Sequence, residues 1–175
     1  MIPRRLLRLP GPALLLAALG ALGFARGAAA ADVEFVRVWP GWHAAVDFTR
    51  ISEYFEHREN FSGREVRRSH PQDRAGFYFL TRVKHPNVSL MGAKFVLRIV
   101  TPNSPDPVQY TFPAGVGAGE HLFAIGLTGS DWSGRKEHPV AWRLELVDDG
   151  GHTLAEAQSV LWAMPEPAAA AAPRG

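Results

Sequence analysis

The sequence predicts an all-β fold, an antiparallel β-sandwich of about seven or eight short strands with one short helix near residues 48–57. Three observations indicate this fold. Apolar and polar residues alternate with a period of two in several segments, breaks rich in Gly and Pro separate those segments at the spacing of a sandwich, and little of the chain has a helical period. Strands with one apolar face are typical of antiparallel sheets that bury only that face.

The first 31 residues have the features of a secretory signal peptide. Three arginines stand within the first eight residues, an uncharged apolar run follows at residues 13–22, and small residues precede Asp32. The apolar run is shorter than the roughly 20 residues that cross a bilayer. We therefore expect export to the periplasm or out of the cell, cleavage near Ala30 or Ala31, and no membrane span in the mature chain.

Residues 32–164 are then expected to form the sandwich domain, and the Pro- and Ala-rich residues 165–175 a disordered tail. The chain has no cysteine, so no disulfide is expected. Four of the 19 Lys and Arg residues precede Asp32, so the rest of the chain has 15 basic residues against 17 acidic ones, a net charge of −2. This balance argues against a nucleic-acid partner, which needs a concentrated positive field.

The strands are predicted in chain order from their alternation. Two weaker candidates come first, Val33–Trp39 and Arg64–His70. Gly76–Lys84 begins apolar on both faces, which favours a central strand. Strong alternation marks four further segments: Lys94–Val100, Val108–Phe112, Phe123–Leu127 and Trp142–Val147.

Turn residues separate these strands. Breaks are expected at residues 85–87, 102–107 and 115–119, where Pro, Asn and Gly concentrate. The Asp-Asp-Gly-Gly stretch at 148–151 predicts a hairpin turn, with positive φ at both central residues, that leads into a closing strand at 152–162.

Residues 47–59 have a different pattern. Phe48, Ile51 and Phe55 recur at i, i+3 and i+7 with Tyr54 beside them, and Asp47 is a suitable N-cap. This spacing predicts a short helix or helical turn. The aromatic content leaves a strand as the alternative.

Four segments resemble parts of an immunoglobulin-like or fibronectin type III-like domain: AGFYFLTRVK, AKFVLRIVTP, HLFAIGLTG and VAWRLELVDDGGHTLAEAQSVLW. The chain is also similar to small exported bacterial proteins of unassigned function. The resemblance covers roughly Gly76 to Trp162 and is architectural. It implies no immune-type role, because the Cys–Trp–Cys core of antibody domains is absent. Domains of this class serve in adhesion, carbohydrate binding and scaffolding, so the resemblance implies a fold and not a function.

The first group of candidate binding residues contains tryptophans. Trp39 and Trp42 flank a Pro-Gly pair, and Trp132 follows Asp131 in a loop rich in Gly and Ser. Sugar-binding modules stack pyranose rings on such tryptophans, while a neighbouring polar group such as Asp131 binds the hydroxyls. The alternative is that these tryptophans close the ends of the sandwich.

The second group is basic. Arg64 and Arg68 lie in a cluster of Arg and His residues and share one face of a predicted strand. Such a face can meet an anionic glycan or an acidic protein. The alternative is a charged edge strand that prevents edge-to-edge pairing.

Catalysis and metal binding have little support. His43 with Asp47, and Glu53 with His57, have the i, i+4 spacing of two ligands on a helix, but neither pair has an evident third ligand. The sequence contains no G-x-S-x-G elbow, P-loop, dinucleotide fingerprint or cysteine nucleophile. No cofactor and no metal are therefore expected, and a small hydrolase or metal-dependent enzyme is the third hypothesis for function.

The leading prediction is a non-catalytic, exported domain that binds a protein partner or supports assembly of an envelope or surface structure. It rests on the export signal, the sandwich pattern and the missing catalytic motifs. The second hypothesis is a carbohydrate-binding module that uses the loop tryptophans.

Overall fold

The computed structural model describes residues 33–61, 63–85, 90–115, 117–132 and 134–164. The predicted signal peptide at 1–31 and the predicted tail at 165–175 lie outside these residues. Within the described ranges, eight strands form two four-stranded sheets, with only single-turn helices between them. No helix in this part of the chain is long and apolar enough to cross a membrane.

The two sheets are built from alternate parts of the chain. The first has the order β1-β3-β6-β2 and the second the order β5-β4-β7-β8. The strands are β1 (Glu34–His43), β2 (Arg64–Arg68), β3 (Gly76–His85), β4 (Lys94–Thr101), β5 (Ser104–Pro113), β6 (Gly119–Thr128), β7 (Ala141–Val147) and β8 (Thr153–Gln158). The predicted all-β sandwich is confirmed.

The core lies between the two sheets and follows the predicted alternation. In β4, Phe95, Leu97 and Ile99 are at most 1% exposed. They face the apolar side chains of the first sheet, and the rings of Phe95 and Phe123 lie 4.9 Å apart edge to face. The start of β3 is buried on both faces, so its predicted central position is also confirmed.

One pair of strands differs from the antiparallel prediction. β2 lies parallel to β6, with Arg64 opposite Leu122 and Arg68 opposite Gly126. A parallel pair needs a long connection, and three strands separate β2 from β6 in the chain. The direction of β2 depends on this pairing between distant parts of the chain. The alternation of apolar and polar residues within β2 does not indicate it.

The predicted break at 102–107 is too long. Thr101 is already opposite Ser104, so the turn consists of Pro102 and Asn103, and β5 continues through Pro105 and Pro107. Those prolines are tolerated because β5 is an edge strand, where a missing N–H costs no ladder bond.

The hairpin between β7 and β8 is confirmed, but its turn is different. Of the four residues at 148–151, only Gly151 has a positive φ, 81°. Asp148 closes a wider loop by accepting the backbone N–H of His152 at 2.8 Å. The closing strand also ends early, at Gln158, where Ser159 begins a single helical turn, α2 (Val160–Ala163).

The helix predicted near residues 48–57 is reduced to separate turns. A 3₁₀ helix covers Ala45–Phe48 and a single α-turn, α1, covers Glu53–Glu56, with extended backbone at Thr49 between them. Asp47 caps the first of these, where its carboxylate accepts the Ala44 N–H at 2.9 Å. Because the helix is interrupted, Phe48 faces the sheet while the later apolar residues do not.

Candidate functional site

Residues 44–61, the covering loop, cross the outer face of the first sheet. β1 and β2 are the two edges of that sheet, so the connection between them passes over β3 and β6. Phe48 anchors the loop by packing on Tyr78 with a ring distance of 4.4 Å, and both contact Ala124 in a second small core. The loop therefore buries one end of this sheet face.

A buried arginine holds the end of the covering loop. The Arg68 guanidinium donates to both carboxylate oxygens of Glu59, at 3.0 and 2.5 Å, and its Nε donates to the Tyr78 hydroxyl at 3.0 Å. Only 5% of the Arg68 side chain is exposed. Burial raises the pKa of Tyr78, whose hydroxyl donates to a backbone carbonyl at 2.7 Å.

A second carboxylate holds the start of α1. Glu53 Oε1 accepts the backbone N–H groups of Arg50 and Asn60, at 3.0 and 3.4 Å, and Oε2 accepts Arg74 Nη1 at 2.7 Å. The hydrogen bond from Arg74 holds the pKa of Glu53 below its ordinary value. Two acidic side chains of the loop, Glu53 and Glu59, are thus directed toward the sheet.

The apolar side chains of the same loop are directed outward. Ile51, Tyr54 and Phe55 are 81%, 78% and 81% exposed. The Tyr54 N–H donates to the Ile51 carbonyl at 3.2 Å, so the backbone is helical here and residues at i, i+3 and i+4 share one face. We call these three residues the apolar knob.

The predicted tryptophans occupy two different places. Trp39 lies on the outer face of the first sheet, with the guanidinium carbons of Arg37 and Arg82 at 5.1 and 5.7 Å from its ring centroid. Trp42 and Trp132 instead line one open cleft of about 570 Å³ at an end of the sandwich.

Within the cleft, the two tryptophans differ in burial. Trp132 is only 7% exposed, packs on Phe77 at a ring distance of 4.6 Å, and donates its Nε1–H to the Gly134 carbonyl at 3.0 Å. It therefore offers little ring surface to a ligand. Trp42 is half-buried, with the Arg135 guanidinium 5.4 Å from its ring centroid.

Asp131 does not line this cleft. Its carboxylate lies 3.2 Å from His70 Nδ1. Burial raises the pKa of Tyr110, and the nearby Asp131 carboxylate adds to this shift. His70 Nε2 is 3.3 Å from the Ser130 hydroxyl. The His70 imidazole therefore lies between the Ser130 hydroxyl and the Asp131 carboxylate. However, His70 Nδ1 is closer to the Thr128 carbonyl, at 2.8 Å, so the ring primarily ties the end of β2 to the end of β6.

Arg64 and Arg68 share the outer face of β2, but only one of them is internally paired. Arg68 is occupied by Glu59, whereas no carboxylate of the described residues pairs with Arg64. Register places Arg64 in the same row of the sheet as Arg82 and Arg37, close to Trp39. The sheet therefore brings Trp39 and Arg64 onto one surface, away from Trp42 and Trp132.

The two residue pairs with the i, i+4 spacing of metal ligands differ in the structure. His43 and Asp47 lie 3.5 Å apart, but Glu53 bonds Arg74 rather than His57. Among the residues that the structure describes, no group of three or more His, Cys, Asp or Glu side chains is arranged to hold a metal ion.

The sequence alone does not indicate the apolar knob or the cations beside Trp39. The helical spacing of Ile51, Tyr54 and Phe55 is evident in the sequence. The role of Glu53 and Glu59 in fixing the chain around them is not. Arg37 and Arg82 are distant in sequence, and only the pairing of β1 with β3 brings them together.

Comparison with known proteins matches the chain to no family model and to no curated relative. The structure defines the class of the protein as a small two-sheet β-sandwich domain.

Proposed function

We propose that the chain is an exported, non-catalytic, immunoglobulin-like domain that binds a protein partner through the apolar knob. The observation that carries this proposal is the inverted polarity of the covering loop. Two of its four carboxylates, Glu53 and Glu59, face the sheet, whereas Ile51, Tyr54 and Phe55 face solvent. A loop that served only to cover the sheet would be more stable in the opposite arrangement, because burying apolar side chains is favourable and burying charges is costly.

The fixed shape of the loop supports binding. Two of its carboxylates, Glu53 and Glu59, bond Arg74 and Arg68, and Phe48 anchors its start. The knob is thereby presented on a defined backbone before any partner arrives. Preorganisation of this kind lowers the entropy cost of association.

The chemistry of the knob favours a protein over a membrane. One aliphatic and two aromatic side chains form its surface, and two of the charges beside it, Arg58 and Glu56, pair with each other at 3.3 Å. A segment that enters an anionic membrane typically carries unpaired Lys and Arg on its polar side. Aromatic anchors are typical of the residues that dominate binding at protein interfaces. The proposed partner therefore has an apolar pocket or groove.

Photo-crosslinking tests this proposal. A photoreactive phenylalanine analogue replaces Phe55, and in a matched chain it replaces Val160, which is exposed to the same degree, 80% against 81%. In extracts of the cells that produce the protein, position 55 is expected to yield one defined protein adduct and position 160 none. The same adducts from both positions, or none from position 55, would contradict the proposal. An adduct between two copies of the chain would identify the partner as a second copy.

Carbohydrate binding is the second candidate, and the cleft of Trp42 and Trp132 favours it. Its wall also contains Gln72, Asp73 and Arg135, which can bond sugar hydroxyls. The test is retention on insoluble polysaccharides, where Trp42→Ala is expected to lose binding and the folded chain with Phe55→Ser is expected to keep it. Retention unchanged by Trp42→Ala would exclude the cleft.

A further inference from the structure

A row of arginines crosses the outer face of the first sheet. Register places Arg37 opposite Arg82, Arg82 opposite Leu122, and Leu122 opposite Arg64, so the row spans all four strands. The residues on either side of Arg82 in β3 are fully buried between the sheets, which directs Arg82 outward. We call Arg37, Arg82 and Arg64 the arginine row.

The Trp39 ring makes cation–π contacts with two members of the row. The guanidinium carbons of Arg37 and Arg82 lie 5.1 and 5.7 Å from the centroid of its ring. Stacking on an indole fixes the plane of a guanidinium and leaves its N–H edge free for a carboxylate or sulfate.

The second sheet shows how this chain neutralises an arginine pair. Arg98 lies directly opposite Arg143, a relation that destabilises a sheet when the charges are alike. Glu145 bonds both guanidiniums, and Glu156 bonds Arg143 at 2.6 Å. Two carboxylates therefore offset the repulsion within the sheet.

The arginine row lacks this compensation. Its one carboxylate among the described residues is Glu120, 3.4 Å from Arg82 Nε, and both side chains of that pair are about half exposed, at 55% and 45%. No described carboxylate pairs with Arg37 or Arg64. In the next row, Lys84 lies opposite Glu34 and Glu120, so that row adds no net positive charge. The repulsion between Arg37 and Arg82 is thus left for an external anion to relieve.

We propose that the arginine row binds an acidic polysaccharide, a polymer whose sugar units carry carboxylate or sulfate groups. Three inter-strand spacings of about 4.8 Å place the two ends of the row about 14 Å apart, farther than one small anion reaches. An acidic peptide usually adds to a sheet edge through main-chain hydrogen bonds, and a sheet face offers none. A glycan needs only side-chain donors, which this face supplies.

Calorimetric titration with sodium polygalacturonate tests the site, with neutral dextran, polyglutamate and DNA as competing classes. The chain is expected to bind polygalacturonate and none of the other three. Arg37→Gln with Arg82→Gln is expected to weaken binding about tenfold or more, because each guanidinium–carboxylate contact is charge-assisted. Arg58→Gln with Lys136→Gln makes the same change in net charge at other exposed positions and is expected to alter binding less than about twofold.

A variant with the opposite effect separates binding from misfolding. Glu120→Gln removes the carboxylate that competes for Arg82 and is expected to tighten polygalacturonate binding about threefold. Failure of the parent chain to bind polygalacturonate would overturn the proposal. So would equal binding of polyglutamate or DNA, or an Arg37→Gln/Arg82→Gln variant that binds like the parent. The site does not depend on the apolar knob, so its failure leaves the proposed protein partner untouched.

Discussion

Arg68 binds both carboxylate oxygens of Glu59 while only 5% of its own side chain remains exposed. The pair joins β2 to the part of the chain that follows α1. It fixes the end of the covering loop, and with Glu53 and Arg74 it explains how a loop with apolar side chains in solvent keeps a defined shape.

Removal of the arginine from this pair is expected to destabilise the fold. Arg68→Met leaves the Glu59 carboxylate, 21% exposed, without its main partner, which should lower the free energy of unfolding by about 2–4 kcal/mol. Urea denaturation measures the change. Arg58→Met is the matched control, because the Arg58–Glu56 pair is 79% and 44% exposed and should contribute less than about 0.5 kcal/mol. Equal losses of unfolding free energy in the two variants would show that the Arg68–Glu59 pair contributes no more than a surface ion pair.

Trp132 should behave as a core residue. Trp132→Ala removes a ring that packs on Phe77 at 4.6 Å, and a loss of about 3–5 kcal/mol in unfolding free energy is expected. Trp39→Ala is the comparison. Its ring is half-buried on an outer face, so a loss of about 1 kcal/mol is expected from the stacked guanidiniums. If Trp132→Ala leaves the unfolding free energy unchanged, the ring is not part of the core.

Protonation of Glu53 should release the start of α1 in acid. Because the folded-state pKa of Glu53 is held below its ordinary value of 4.5, its contribution to stability is present above pH 4.5 and is lost as the pH falls through the folded-state pKa. The amide NMR signals of Arg50 and Asn60, which donate to Glu53, should shift together with a midpoint below pH 4.5. Glu53→Gln should abolish that transition, and a transition that persists in the variant would assign it to another group.

Tyr78 should link stability to high pH. Burial raises its pKa above the ordinary value of 10, so its contribution is fully present below pH 10 and is lost as the pH rises through the folded-state pKa. Unfolding free energies measured from pH 9 upward should fall less steeply in Tyr78→Phe than in the parent chain. Parallel pH profiles would mean that the phenol does not ionise with unfolding.

The strands could be predicted where one face alone is apolar. The alternation of Phe95, Leu97 and Ile99 placed β4 correctly because side-chain burial is a local consequence of the pleat. The parallel pairing of β2 could not be predicted in this way. It depends on Arg64 meeting Leu122, a contact between residues far apart in the chain.

The candidate site shows the same division. The sequence identified Trp39 and Arg64 as separate candidates, since residue type alone made them notable. It could not place them on one sheet face with Arg37 and Arg82, because cross-strand register decides that. The spacing of Ile51 and Phe55 indicated a helix, but their exposure follows from the break at Thr49 and from the carboxylates that hold the loop.

The apolar knob is proposed to serve binding and not folding. The most direct test compares unfolding free energy and partner binding in one variant, Ile51→Ser/Tyr54→Ser/Phe55→Ser. An unfolding free energy within about 0.5 kcal/mol of the parent chain is expected, because these side chains are already in solvent. The protein crosslinked at position 55 should no longer be bound, while Val160→Ser/Leu161→Ser should bind it normally. A variant that unfolds more readily by about 2 kcal/mol would show that the knob stabilises the fold, and one that retains the partner would show that the knob is not the binding surface.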